Sequence, residues 1–513
     1  MRPHILFVAA EAAPLAKTGG LGDVVTALAE ALTRDGMRAS ILIPGYTSAL
    51  QQAVKLKPCG RLSDLPDGDA TLWRGLMPDS DVEVILLRND GLFQRRGSPY
   101  LDENGDEFAD NGLRFAVLSH AAAQIASGRT ELDVPHVVHA HDWHAGLVPM
   151  LMREYGAEAK SIFTIHNLAF QGNYPLDHAE TFGIPERVRN DGSIEYWGQL
   201  SFMKAALTYA DRISTVSETY AREILTPKYG AGFDGLLRER QCDLVAVPNG
   251  IDTSSWDPTQ DELIARNYDH EDLRGKLICK RDLQKTFGLP LDIFAPVMAM
   301  GSRLTTQKMV DVAIEAFPIL LAAHPRLQIA ILGCGDRDLE AGLRALAASY
   351  PERIGLHIGY DETRAHCLHA GADMLLHGSR FEPFGLTPLY SMRYGTVPIA
   401  SRVGGLADTI LDAGSVDAPV VDATGFLFDG EGVDDMVKAV DRALAMFAQP
   451  QLWRAMQCAE MTIEAGWEKS SQRYIELYRT VMAEPAQAMF QPAMSQAAHE
   501  RIRNVEQAAM KCA

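Results

Sequence analysis

Two doubly wound α/β domains in series are the fold class this chain predicts, and three observations predict it. Short apolar runs alternate with amphipathic runs, glycine-rich turns sit where one gives way to the other, and the alternation starts afresh after residue 275. Size agrees: 513 residues exceed what one hydrophobic core organises.

In the first half "HILFVAA", "MRASILIP", "VEVILLR", "HVVHAHD", "KSIFTIHN", "DRISTVS" and "DLVAVPNGID" read as strands. "DVVTALAEAL" and "GLRFAVLSHAAAQIA" read as helices between them. A polar, proline-bearing stretch follows at residues 252–275. New strands then come as "PVMAMGSRL", "LQIAILGCGD", "RIGLHIGY", "DMLLHGS" and "TVPIAS". "WEKSSQRYIELYRTVMA" is an amphipathic helix, and the Ala-, Gln- and Met-rich remainder reads as a loosely attached tail. The expected division is 1–250, 251–461, a helix over 462–481 and a tail over 482–513. No short repeat of the solenoid kind is present.

Composition narrows the function classes. With 47% hydrophobic and 22% charged residues the chain is an ordinary globular one. A formal charge of -19 argues against general binding of nucleic acid or anionic membrane, which need a concentrated cationic surface. An anionic ligand therefore needs a local basic pocket. The seven cysteines are scattered and never form a C-x-x-C pair, so a reducing cytoplasm is expected. The start "MRPHILFVAAEAAP" enters a strand pattern directly, and no run of about 18 apolar residues exists to span a membrane. Oligomeric state leaves no signal.

Polar constellations at strand ends carry the chemistry, because open parallel sheets bind ligands there. In "AKTGGLGDVV" the glycines permit close backbone approach and a following helix start can face an anion, with Lys17 adding charge. The pattern is neither a complete G-x-G-x-x-G nor a P-loop, and alone it reads equally as a strand-to-helix turn. "VVHAHDWHAGL" places His139 and His141 on one side of a strand. Without a suitably spaced carboxylate or thiol, polar packing or substrate hydrogen bonding outranks metal ligation, and Asp142 is the candidate for a sugar hydroxyl. His166 and Asn167 repeat the arrangement after the next strand. In "MGSRLTTQK" Arg303 and Lys308 stand where a strand becomes a helix, which suits a diphosphate leaving group. A solvated pair is the bland alternative. Glu382 follows another strand, before a helix whose first turn tolerates Pro388.

Taken in order, "KTGGLGDV", "HAHDWHAGL", "TIHNLAFQG", "SRLTTQK", "SRFEPFGLTPLYSMRYGT" and "GGLADTI" resemble bacterial glycogen synthases and plant starch synthases, from about residue 4 to about residue 481. The resemblance implies a GT-B fold, two Rossmann-like domains facing each other across a cleft, with a C-terminal helix returning to the first. It implies transfer of glucose from ADP-glucose to the non-reducing 4-OH of an α-1,4-glucan, with retention and with no metal or other cofactor. By motif position it assigns Lys17 and Gly20 to the donor, Arg303 and Lys308 to the departing diphosphate, and Glu382 to the donor glucose. His166 lies beneath that sugar. Asp142, Asn167 and Tyr100 belong with glucose or acceptor hydroxyls, Gly385 and Thr387 with the donor, and Asn249 near the interdomain junction.

This chain departs from the family pattern at Met309, Phe384 and Pro388, where the family commonly has Gly, Cys and Gln. Phe384 is expected to narrow the pocket, and Met309 to disfavour the positive φ that glycine permits. Tyr390 replaces the second glutamate of many retaining GT-B enzymes, as it does throughout the glycogen and starch synthases. The alternatives are a related transferase using UDP-glucose or a small acceptor, and a catalytically weak glucan-binding paralogue. A dinucleotide oxidoreductase lacks its complete fingerprint.

Overall fold

The structure, a computed structural model, describes residues 2–485. The tail expected over 482–513 therefore lies mostly outside the described residues. The described residues divide into two units, one with residues up to Val216, Ala221–Gly250 and those from Trp467 to Pro485, the other with Ser217–Tyr220 and Ile251–Gly466.

The first unit is built on a nine-stranded sheet. Its order is Leu244–Ala246, Arg212–Thr215, Lys160–Ile165, Val137–His141, His4–Val8, Arg38–Pro44, Glu83–Arg88, Gly68–Leu76, Val54–Leu65. The first seven run parallel and the last two are antiparallel additions. His4–Val8 is buried along its whole length, as a strand covered on both faces must be. Helix Gly20–Arg34 turns Val24, Val25, Leu28 and Leu32 toward the core at helical spacing.

The closing helix covers Glu468–Ala483 rather than 462–481, so it begins later and ends inside the stretch expected to be tail. It packs on the first unit: Tyr474 and Tyr478 are buried, and Ser471 Oγ donates to Asp35 Oδ2 at 2.7 Å.

The second unit holds a six-stranded parallel sheet in the order Ile354–Ile358, Gln328–Gly333, Val297–Gly301, Met374–His377, Val397–Ser401, Phe426–Phe428. Numbered along the chain this is 3-2-1-4-5-6, the doubly wound order, and it reverses between Val297–Gly301 and Met374–His377. The polar stretch 252–275, which precedes the second run of strands, is packed into this unit, which takes up the chain from Ile251. Ile264 and Tyr268 are buried beside Tyr394 and Met461, and Tyr268 Oη donates to the Tyr394 carbonyl at 2.8 Å.

Candidate active site

The candidate residues lie at the carboxyl ends of strands at or next to the reversal of strand order in each sheet, where neighbouring loops diverge and leave room. In the first unit Glu11 and Lys17 follow His4–Val8, Asp142 follows Val137–His141, and His166 and Asn167 follow Lys160–Ile165. In the second, Arg303 and Lys308 follow Val297–Gly301 and Glu382 follows Met374–His377.

The opening glycine loop is organised by a residue that motif reading passes over. Glu11 is buried, and one of its oxygens accepts from the amides of Thr18 at 2.5 Å and Gly19 at 3.1 Å. Its other oxygen accepts from the Tyr100 hydroxyl. Two of the loop amides that an external anion was expected to use thus already hold an internal carboxylate. Burial pushes the Glu11 carboxyl up, against the hydrogen bonds from Tyr100, Thr18 and Gly19. Gly20 opens the helix, and Lys17 pairs with Asp23 at 3.0 Å. Tyr100 stacks on His144 with centroids 4.8 Å apart.

Asp142 is buried and adopts φ 55° with ψ 179°, an extended positive-φ conformation otherwise almost confined to glycine. The geometry turns its Oδ1 onto the amides of His166 at 2.8 Å and Asn167 at 3.2 Å. Burial raises its carboxyl to about 7, with those two hydrogen bonds opposing. His166 is kept neutral by burial, which lowers it to about 3. Its Nε2 lies 2.9 Å from Nδ1 of His141, so each ring limits the other's tautomer. His139 engages Tyr478 Oη at 2.8 Å through Nδ1 and Thr164 Oγ1 at 2.5 Å through Nε2. Both its nitrogens are therefore committed to hydrogen bonds. Asn249 is buried at the end of the first unit's run, with an Oδ1 that meets no hydrogen-bond partner among the described residues.

In the second unit Lys308 and Glu382 form one buried ion pair, Nζ on Oε2. The same Oε2 receives Ser379 Oγ at 3.1 Å and lies 3.0 Å from His377 Nε2. Burial opposes ionisation of Glu382, yet the Lys308 charge and the His377 hydrogen bond outweigh it and hold the carboxyl well below its usual range. Burial and the neighbouring Lys308 charge push the His377 imidazole down, with Glu382 opposing. Arg303 is exposed, with a guanidinium nitrogen 3.3 Å from Gln307 Oε1.

The loops carrying this pair are clamped together. The Arg380 amide donates to the Gln307 carbonyl at 2.9 Å, Gln307 Nε2 donates to the Phe381 carbonyl at 3.1 Å, and Arg380 forks onto Asp311 at 2.8 and 3.0 Å. Gly385 stands at φ 96° before helix Leu386–Arg393, and a Cβ there would meet Leu406 at 2.7 Å. Thr387 and Pro388 fall in that helix's first turn, where a proline removes no intrahelical bond. Phe384 is buried. Met309 takes the left-handed conformation after all, at φ 52°, with its side chain fully buried and its Sδ 3.6 Å from Ser401 Oγ. Tyr390 stacks on Trp256 with centroids 4.1 Å apart.

Comparison with known proteins decides the family. Residues 4–239 match the starch synthase catalytic domain and residues 292–454 match the glycosyl transferases group 1. A glycogen synthase of Ralstonia nicotianae is 53% identical over 482 residues, spanning 94% of this chain and 88% of the relative. One from Bordetella petrii is 52% identical over 488 residues, 94% of each chain. The chain belongs to the glycogen synthases.

Among solved structures, the catalytic domain of starch synthase IV from Arabidopsis thaliana, bound to ADP and acarbose, is 28% identical at a TM-score of 0.85, covering 94% of this chain and 100% of that one. A sucrose-phosphate synthase from Thermosynechococcus elongatus, 18% identical at a TM-score of 0.57, shares the fold over 94% of this chain and 100% of its own. As a glycogen synthase the protein is a glucosyltransferase of GT-B fold. Among the described residues no helix is long and apolar enough to cross a membrane. Glu11, His377, Ser379 and Arg380 are the participants that motif reading missed. Glu11 and His377 each sit in or just beyond an apolar strand, and a search for polar residues at every strand end would have found them.

Proposed function

We infer that this glycogen synthase transfers glucose from ADP-glucose to the non-reducing 4-OH of an α-1,4-glucan with retention of configuration. The observation that carries the reading is the buried Lys308–Glu382 pair at the switch point of the second sheet, with Arg303 on the same loop. Arg303 and Lys308 stabilise charge on the departing diphosphate, and Glu382 balances positive character at the anomeric carbon while holding Lys308 in place. Gly385 and Thr387 offer backbone at the start of their helix to the donor. From the first unit Lys17 and Gly20 serve the donor, and neutral His166 presents a polar but uncharged surface to the sugar. Asp142, Asn167 and Tyr100 take hydroxyls, and Asn249 supplies an oxygen that lacks a hydrogen-bond partner among the described residues. Support for a nucleoside diphosphate donor and an oligosaccharide acceptor comes from the ADP and acarbose of the Arabidopsis domain. The described cysteines are free thiols, which fits a cytoplasmic protein.

The test measures labelled glucose incorporated into glycogen together with nucleotide release, comparing ADP-glucose and UDP-glucose. Extension with ADP-glucose preferred is expected. Extension with neither donor overturns the reading.

A further inference from the structure

We propose that the hairpin tip at Trp197 in the first unit is a second, non-catalytic docking site for an α-1,4-glucan chain. Strand Glu195–Tyr196 pairs with Gln199–Ser201 so that Tyr196 faces Gln199, which leaves Trp197 and Gly198 as a two-residue loop. Their φ values of 50° and 82° are both positive, the signature of a type I′ turn. The first position of such a turn ordinarily takes Asn, Asp or Gly. A tryptophan there accepts backbone strain, and its side chain is left in water at 85% exposure. Fold stability rewards neither feature.

The mount is stiff. Gly198 donates its amide to Glu195 Oε1 at 2.6 Å, Tyr196 Oη donates to the Ala231 carbonyl at 2.6 Å, and the Tyr196 ring stacks on Phe233 at 4.4 Å. The site is also continuous with the loop that bears His166 and Asn167. Gln171, four residues beyond Asn167 and next to half-exposed Phe170, donates to that same Ala231 carbonyl at 2.9 Å. Its own carbonyl accepts from Ser201 Oγ at 3.1 Å.

A glucan is the occupant these features fit. The C–H face of a pyranose is flat and apolar and stacks on an indole, while its hydroxyls bond amides at the rim, here exposed Gln199 and Asn173. The ligand is a neutral polymer, and a polyanion would be repelled by a chain of net charge -19. Because the acceptor is polymeric, an anchor away from the reacting end raises the effective concentration of chain ends. The proposal rests on the glucan-transferase reading, and its test separates the two.

Wild type, Trp197→Asn and Trp197→Phe are run in native gels cast with glycogen and no donor, and assayed with glycogen and with maltotriose as acceptors. Asn suits the turn, so Trp197→Asn should keep or raise Tm. It should weaken retardation by glycogen and raise the KM for glycogen by about two- to tenfold, the scale of one aromatic stacking contact. Its kcat and its KM for maltotriose should be unchanged, and Trp197→Phe should behave like wild type. Unchanged retardation and KM in folded Trp197→Asn overturns the docking site, as does an effect confined to sedimentation, which marks a protein–protein contact. Trp197-dependent retardation in a protein that transfers no glucose supports the docking site while the transferase reading fails.

Discussion

At the scale of single residues, the Lys308–Glu382 pair changes what a substitution reports. Lys308→Ala is expected to lower kcat by about 10²- to 10³-fold, the usual loss for one preorganised charge. Glu382→Ala does more than remove a site group, because it strands the Lys308 charge in a buried place. Losing one member of such a pair costs about 3–5 kcal/mol. Glu382→Gln, which keeps shape and an acceptor oxygen, should lose turnover with a smaller drop in Tm. Equal Tm losses for the two variants would refute the ion-pair account.

Asp142 makes a pH prediction of opposite sign from the usual carboxylate. Its pKa rises from 3.8 to about 7 on folding, so between those values the folded state holds a proton that the unfolded state has released. Wild-type stability is expected to fall, relative to Asp142→Asn, as pH rises through that window and then level off. Chemical denaturation at pH 5 and pH 8 checks this, and a gap that does not change with pH refutes it.

At the scale of elements, the start of helix Val310–Ala323 shows how a position can work against two preferences at once. Met309, its N-cap, takes a left-handed backbone that costs an L-residue roughly 1–2 kcal/mol. The same residue fills a place with no solvent exposure in the core, where truncating methionine costs roughly 2–5 kcal/mol. Met309→Gly relieves the first and forfeits the second, so the expected result is a lower Tm. A higher Tm would show that strain, not packing, dominates at the helix start. The loop this helix follows carries Lys308, so the packing of Met309 near Ser401 and Gly378 also seats the site lysine.

At the scale of the whole molecule, two sheets built on one principle each place polar loops at a switch point, and the proposed reaction draws on candidate residues of each. The proposed reaction relies on cationic side chains to stabilise the leaving group. Adding a chelator is therefore expected to leave glucosyl transfer intact. Loss of transfer that zinc or magnesium restores would return the first unit's histidines to consideration as ligands.

The amino-acid sequence by itself determined the alternation of strand and helix, the restart after residue 275 and the residue types at strand ends, because periodicity and turn chemistry act over a few neighbouring residues. It did not reveal the antiparallel hairpin Val54–Leu76, whose outer strand is largely exposed and whose register shifts repeatedly, so that no clean alternation survives. That the polar stretch 252–275 packs against the second unit was not legible for a related reason, since polar loops pack when distant elements offer them partners. Tertiary structure alone decided which polar groups meet: Lys308 with Glu382 across 74 positions, Glu11 with Tyr100 across 89, His139 with Tyr478 across 339. Local pattern assigns each of these groups to a strand, a helix or the loop beyond a strand, but strand order and helix packing set which of them are neighbours.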